Sequence, residues 1–337
     1  MIQIILSALV LLAGPAPLPT SVSSLLVIAH RGASGERPEH TRAAYELAID
    51  QGADFIEPDL VMSRDGVLIV RHENEIGETT DVAAHPEFAA RHTTRSVDGR
   101  AITGWFTEDF TLAELQTLRA RERLPAVRPA NTAFDGQDPI LTFQQVIDIA
   151  RAGTARTGRS IGVVPELKHP SHFAAAGLPM EDAFVAVLEA NGLTGADAPV
   201  LIQCFEVGPL QRLAARIDTP RLQLMGVRGG PVDRPDLTYA TMATPDGLAT
   251  VAGYASWIGV EAAMIAPDLA RTQTALIADA HAAGLKVAAW TFRAEPQFLP
   301  PGAADLTVWL TAFRDFGLDA AFSDFPASAV AVAVRAR

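Results

Sequence analysis

Eight short apolar runs, at 25 to 30, 54 to 60, 161 to 167, 199 to 205, 221 to 226, 256 to 260, 286 to 292 and 319 to 323, are spaced along the chain with helical-looking segments between most of them. The intervening helices are read at Thr41 to Gln51, Phe143 to Ala152, Glu181 to Ala190, Pro209 to Ile217, Leu269 to Ala283 and Asp305 to Phe316. Gly52, Gly284 and Gly317 stand where a helix ends on a left-handed residue. Eight strand runs, most of them separated by helices, predict the α/β class and a TIM-type (β/α)8 barrel, whose chemistry sits at the C-terminal strand ends. A further alternating run, Val67 to His72, follows the second strand after only Val61 to Gly66. A parallel crossover needs about a dozen residues or more, so this run must return as a hairpin turning at Arg64-Asp65-Gly66.

Chemistry-bearing residues gather at the ends of these runs. His30 and Arg31 close the first, placing a titratable ring beside a guanidinium, an acid or base next to an anion clamp. In the second, alternation puts Phe55, Glu57 and Asp59 on one face; in the third, Val164, Glu166 and Lys168. Singly, each carboxylate reads as a solvated strand end. Three converging on a closed core would be costly without a cation, and an all-oxygen donor set favours calcium or magnesium over zinc. The hairpin run ends its Leu68, Val70 face in a second histidine, His72.

The set His30-Arg31-Gly32, Pro38-Glu39-His40-Thr41, Glu57-x-Asp59, His72 and Glu166-x-Lys168, in this order and spacing, resembles the glycerophosphodiester phosphodiesterase family, in particular its bacterial periplasmic branch. The likeness runs from about Leu25 to Ser328, and Gln203-Cys204-Phe205, Trp290 to Arg293 and Phe322 to Pro326 resemble the family's later strand ends. The chain departs at His72-Glu73, where the family usually has His-Asp. The resemblance implies hydrolysis of glycerophosphodiesters, the deacylated phospholipid head groups, to sn-glycerol 3-phosphate and an alcohol. His30 and His72 would be the acid-base pair, Glu57, Asp59 and Glu166 the ligands of one divalent cation, and Arg31 and Lys168 the phosphate clamp. The nucleophile is either the neighbouring glycerol hydroxyl or a water. Phe205, Trp290 and Phe292 are candidates to line the glycerol pocket.

The 27 basic against 39 acidic residues, net −12, argue against nucleic acid or an anionic membrane as partner. A phosphate substrate must then be attracted locally. Ile4 to Ala13 is too short to span a bilayer but suits a secretory signal, although Met1-Ile2-Gln3 carries no basic residue. The expectation is a signal over 1–24, export to the periplasm or medium, and a catalytic barrel over 25–337 with no stable membrane span. The single Cys204 cannot form an internal disulfide and reads as a packed thiol.

Residues 73 to 138 are too long for a structureless loop and read as a small inserted subdomain over the barrel mouth, with Trp105 and Phe106 as lid aromatics that exclude acyl chains. Replacing most of this insertion by a short linker is expected to spare metal binding and raise activity on acylated lipids. Residues 227 to 255, rich in Gly and Pro, read as a second rim loop. His40 reads as capping or orienting the helix beginning near Thr41, and His169, His172 and His281 as bystanders. Two other readings compete: a related metal-dependent phospholipase acting on intact lipids, which would favour an apolar rim loop, and a catalytically silent barrel that only binds, which would have lost a histidine or carboxylate. Oligomeric state has no signature here.

Overall fold

The computed structural model describes residues 25–333, so the export signal expected over 1–24 lies outside the described residues. Its strands are β1 (Leu26–His30), β2 (Phe55–Glu57), β3 (Asp59–Met62), β4 (Leu68–Val70), β5 (Thr93–Val97), β6 (Arg100–Gly104), β7 (Gly162–Val163), β8 (Glu166–Leu167), β9 (Ile202–Cys204), β10 (Arg221–Met225), β11 (Trp257–Glu261), β12 (Lys286–Phe292) and β13 (Ala320–Ser323). Eleven of them form one sheet in the order β4-β3-β8-β9-β10-β11-β12-β13-β1-β2-β7. β2 and β3 are one barrel strand interrupted at Pro58, which has no N–H to give the ladder. β7 and β8 are likewise interrupted at Val164-Pro165. Hydrogen bonds run through both gaps: Val164 N–H donates to Ile56 O (3.0 Å) and Glu166 N–H to Pro58 O (2.9 Å). The two ends of the sheet are therefore joined, and its parallel strands close into the barrel. β4 returns antiparallel on β3, Leu60 opposite Val70, as the short connection requires.

Alternation sorts the side chains into two layers. Ile28, Val164, Leu201, Leu222, Leu224, Ala288 and Phe322 fill the inside of the barrel, while Val27, Ala29, Ile56 and Val260 meet the surrounding helices. Each fully buried Leu, Ile or Phe contributes roughly 1.5–3 kcal/mol. Room in the inner layer is set by Gly259, where an added Cβ would stand 2.5 Å from Leu222 Cδ2. Among the helices, Arg42–Asp50 starts because Thr41 Oγ1 accepts from Ala44 N–H (3.1 Å), and it buries Ala44, Tyr45, Ala48 and Ile49. The helix expected over Leu269 to Ala283 is shorter, Leu276–Ala282. Thr274 is instead drawn to the preceding turn, its N–H donating to Ile265 O (2.9 Å) and its hydroxyl to Met264 O (2.9 Å).

Residues 73 to 138 hold the antiparallel pair β5 and β6, turned at Asp98-Gly99 with φ of 48° and 78°, together with short helical turns. Phe88, Phe110, Leu115 and Leu118 are buried beneath them. Phe106 is fully buried and Trp105 Nε1 donates to Phe88 O (2.9 Å), so these aromatics fasten the insertion together instead of serving as lid aromatics. Residues 227 to 255 carry two short helices, Tyr239–Met242 and Pro245–Val251. Among the described residues no helix is long and apolar enough to cross a membrane.

Candidate active site

Where β1 ends the chain turns sharply, Arg31 at φ 59° and Gly32 at φ 85°. A Cβ on Gly32 would lie 2.7 Å from the Ala44 carbonyl carbon, so only glycine lets the turn press against the next helix. A left-handed arginine costs about 1–2 kcal/mol, and polar contacts offset it. Arg31 N–H donates to Glu57 Oε2 (2.8 Å), and its guanidinium donates to Glu39 Oε2 (3.1 Å) and lies 3.3 Å from Asp59 Oδ2. The turn thus aims the guanidinium at the carboxylates of the next strand.

Glu57, Asp59 and Glu166, on β2, β3 and β8, are all buried, and each presents an oxygen within 4.8 Å of the others. Burial, then the neighbouring Asp59 charge, pushes the Glu57 carboxyl well above the carboxylate range. The same two causes push Glu166 up to about 8, against the pull of Lys168 Nζ at 3.1 Å. Asp59 is held well below that range: burial opposes its charge, but His72, His40, Lys168 and Arg31 around it outweigh burial. Gln203 Nε2 donates to Glu57 Oε1 (2.9 Å), while its own buried Oε1 has no partner. Three buried carboxylates beside an orphaned amide oxygen are the donor set of a hard cation, and these residues fit one.

His30 and His72 flank this cluster. His30 Nδ1 is 2.6 Å from Asp324 Oδ1, and burial, then Arg31, lower its pKa to about 4. With His30 neutral, Asp324 is kept ionised by Arg128 at 2.5 Å and Arg293 at 3.0 Å. His72 is lowered to about 3 by burial, Arg31 and Lys168. Its Nδ1 lies 2.8 Å from Glu73 Oε1, and its Nε2 is 3.3 Å from Lys168 Nζ. Glu73 therefore reaches the ring beside it despite the longer side chain. It also contacts His169 (3.3 Å), whose other nitrogen meets Asp98 (2.5 Å).

A cavity of about 660 Å³ opens beside the cluster, walled by His72, Glu166, Lys168, Phe205, Tyr239 and Trp290 and by Val97, Asp98, Arg100 and Ile102 of the insertion. His30, Arg31, Glu57 and Arg293 line an adjoining hollow of about 160 Å³, which shares His72, Phe205 and Trp290. All the residues proposed for acid-base, phosphate and metal roles thus meet in one place.

Phe292 is not among the lining residues, and its reading is corrected: it is fully buried on the outer face, 4.6 Å from the Trp309 ring. From Ala289 to Phe292 β12 advances three residues while β13 advances two, Ala321 to Ser323. That extra residue reverses the facing. His40 does not cap the helix, whose cap is Thr41, but meets it through Tyr45. Its Nδ1 meets Tyr45 Oη (2.8 Å) and its Nε2 meets Asp59 Oδ2 (2.9 Å), so it orients a carboxylate of the cluster. His169 lines the cavity, whereas His172 meets Glu108 and His281 meets Asp319 away from it.

A family model for glycerophosphoryl diester phosphodiesterases matches residues 30–328. The chain belongs to the glycerophosphoryl diester phosphodiesterase family. It is 36% identical over 330 residues to glycerophosphodiester phosphodiesterase GDPD6 of Arabidopsis thaliana, covering 92% of this chain and 86% of that protein. It is 32% identical to the glycerophosphodiester phosphodiesterase of Haemophilus influenzae over 203 residues, 58% of this chain and 53% of that one. Among solved structures, a phosphodiesterase from Oleispira antarctica in complex with the product sn-glycerol-3-phosphate is similar with a TM-score of 0.63 at 22% identity, over 92% of this chain and 96% of that one. A putative glycerophosphoryl diester phosphodiesterase from Silicibacter pomeroyi has a TM-score of 0.65 at 22% identity, over 92% and 93%. These phosphodiesterases share the barrel fold with this chain.

Proposed function

We propose that this protein hydrolyses glycerophosphodiesters to sn-glycerol 3-phosphate and an alcohol. The observation that carries the reading is the convergence of Glu57, Asp59 and Glu166 between His30 and His72, in a barrel of this family. Glu57, Asp59 and Glu166 would hold calcium or magnesium, which when bound supplies charge neutralisation at the phosphoryl oxygen. Arg31 clamps the diester's second oxygen as a planar fork and Lys168 as a point charge. Both histidines are neutral before substrate binds, so either can take the proton from the attacking hydroxyl. The anionic diester between them favours a protonated partner, which hands its proton to the departing alkoxide.

The cavity lies within the roughly 300–1,000 Å³ of small-ligand sites, and Val97 and Ile102 narrow it from the insertion side. This supports a deacylated diester over an intact phospholipid. Presence of both histidines and all three carboxylates favours an enzyme over a silent binding barrel. Export to the periplasm or medium stays part of the proposal on the strength of the N-terminal run. The test is a panel of glycerophosphodiesters and a lysophospholipid given to purified protein with and without chelator. Release of sn-glycerol 3-phosphate confined to the deacylated diesters and lost on chelation is the expected result; turnover of the lipid alone would overturn the substrate reading.

A further inference from the structure

The insertion does more than cover the mouth. One of its segments, Glu122 to Asn131, reaches across the barrel rim and grips the two neighbours His30 and Arg31 from behind. Arg128, 7% exposed at its side chain, spends its whole fork on this contact. Its NH2 donates to Asp324 Oδ2 (2.5 Å), its NH1 to Ser34 O (2.8 Å) and its Nε to Glu295 Oε1 (2.6 Å). Asp324 Oδ1 in turn holds His30 Nδ1 at 2.6 Å. Both oxygens of Asp324 are therefore engaged, Oδ1 by the histidine and Oδ2 by Arg128 of the insertion together with Arg293 (3.0 Å), and the carboxylate cannot rotate without breaking charge-assisted bonds. Five residues earlier, Arg123 donates from Nε and NH2 to Glu39 Oε2 (2.9 Å) and Oε1 (2.5 Å). Glu39 Oε2 also accepts from Arg31 NH1 (3.1 Å). Asn131 Nδ2 ties the segment down on Ser34 O (3.2 Å) and closes it on itself by donating to Glu122 Oε2 (2.8 Å). The space between these groups is only about 20 Å³, hardly more than one water, so the segment is packed onto the site.

We propose that Arg128 and Arg123 are positioning residues for the hydrolysis: Arg128 fixes His30 through Asp324, and Arg123 fixes Arg31 through Glu39. The inference rests on the phosphodiesterase reading above. The geometry assigns the two arms different consequences. Asp324 locks the His30 ring with its Nδ1 turned to the carboxylate, leaving Nε2 for the proton transfer, so the Arg128 arm acts on the chemical step. Glu39 orients a guanidinium that meets the diester in ground and transition state alike, so the Arg123 arm acts on substrate binding.

The experiment measures kcat and KM of the full-length protein for glycerophosphocholine with saturating cation, in Arg128→Gln, Arg128→Lys, Arg123→Gln and Arg91→Gln. Arg91 pairs with Glu114 inside the insertion, so it serves as the control for general loosening. Arg128→Gln is expected to lower kcat about ten- to a hundredfold with KM within about twofold, the size of effect typical of groups that orient a functional histidine. Arg128→Lys should recover part of the loss. Arg123→Gln should raise KM by about as much, and Arg91→Gln should change neither. A readout independent of turnover is the ¹⁵N spectrum of the His30 ring, which should show one tautomer, protonated at Nδ1, in the native protein and a mixture in Arg128→Gln. An unchanged kcat in Arg128→Gln, an equal loss in Arg91→Gln, or an unaltered ring tautomer would overturn the proposal. Failure of the underlying reading shows differently, as a native protein that releases sn-glycerol 3-phosphate from no diester.

Discussion

Lowering the pH from 7 to 5 should destabilise the chelator-treated protein by about 2 kcal/mol through His30 alone. Buried beside Arg31, the His30 imidazole titrates at about 4 in the folded chain, against about 6.5 when unfolded. Between those values the unfolded chain takes up a proton that the folded chain refuses. Stability therefore falls as the pH falls through 6.5 and levels off near the folded value. The roughly 1.5 pH units between 6.5 and 5, at about 1.36 kcal/mol each, give the magnitude. His30→Asn removes the titration while leaving an amide donor close to the position of Nδ1 for Asp324. Urea unfolding at both pH values supplies the comparison: native protein should lose about 2 kcal/mol more than His30→Asn over this interval. Equal losses would mean that burial beside Arg31 does not hold the His30 pKa below its ordinary value in the folded chain.

Replacing His30 or His72 by Ala should lower kcat by about two to four orders of magnitude in a protein that melts as a folded unit, as expected for loss of general acid-base catalysis. Near-normal rates in His72→Ala would move that role to the neighbouring Glu73. Arg31→Lys should also be harmful in kcat/KM, because a point charge cannot replace a bidentate fork at the diester, and normal values would remove Arg31 from the clamp. Calcium or magnesium uptake at pH 7 should release at least about one proton, since Glu166 titrates at about 8 in the chelator-treated protein, the Glu57 carboxyl is also held well above the carboxylate range, and both must ionise to act as ligands. Calorimetry in buffers of different ionisation enthalpy reads this, and Glu166→Gln should abolish both proton release and tight binding.

The barrel was legible because its evidence is local. Alternation in Val27 to His30 and in Val164 to Lys168 places alternate residues inward, and the inner cluster contains Ile28 and Val164 as that pattern requires. The carboxylates were legible for the same reason, each two residues from another inward position. Phe292 misled because a single extra residue in β12 reverses the facing, and a bulge leaves no trace in a run of apolar residues. His40 touches its nearest helix at Tyr45, but its second partner, Asp59, lies 19 positions away in β3, where local sequence gives no sign of the pairing. Arg128 and Asp324 are 196 residues apart, and Arg123 and Glu39 are 84. In sequence such arginines look like surface charges of a polar loop. Only the folded insertion brings them onto the site, which is also why its deletion should strip support from His30 and Arg31 instead of merely widening the entrance. The lid's selectivity is better tested by single changes at Val97 or Ile102 on the cavity wall.

In the proposed mechanism the cluster of Glu57, Asp59 and Glu166 holds the divalent cation on which diester hydrolysis depends. The most direct measurement is release of sn-glycerol 3-phosphate from glycerophosphocholine by chelator-treated protein, titrated with calcium or magnesium, beside the same titration of Glu166→Gln. The native protein should be inactive after chelation and recover with saturating dependence on the cation, while the variant stays inactive over the same range. Full release by the chelator-treated protein, or recovery of the variant at the same cation concentration, would show that hydrolysis does not depend on a cation held by these carboxylates.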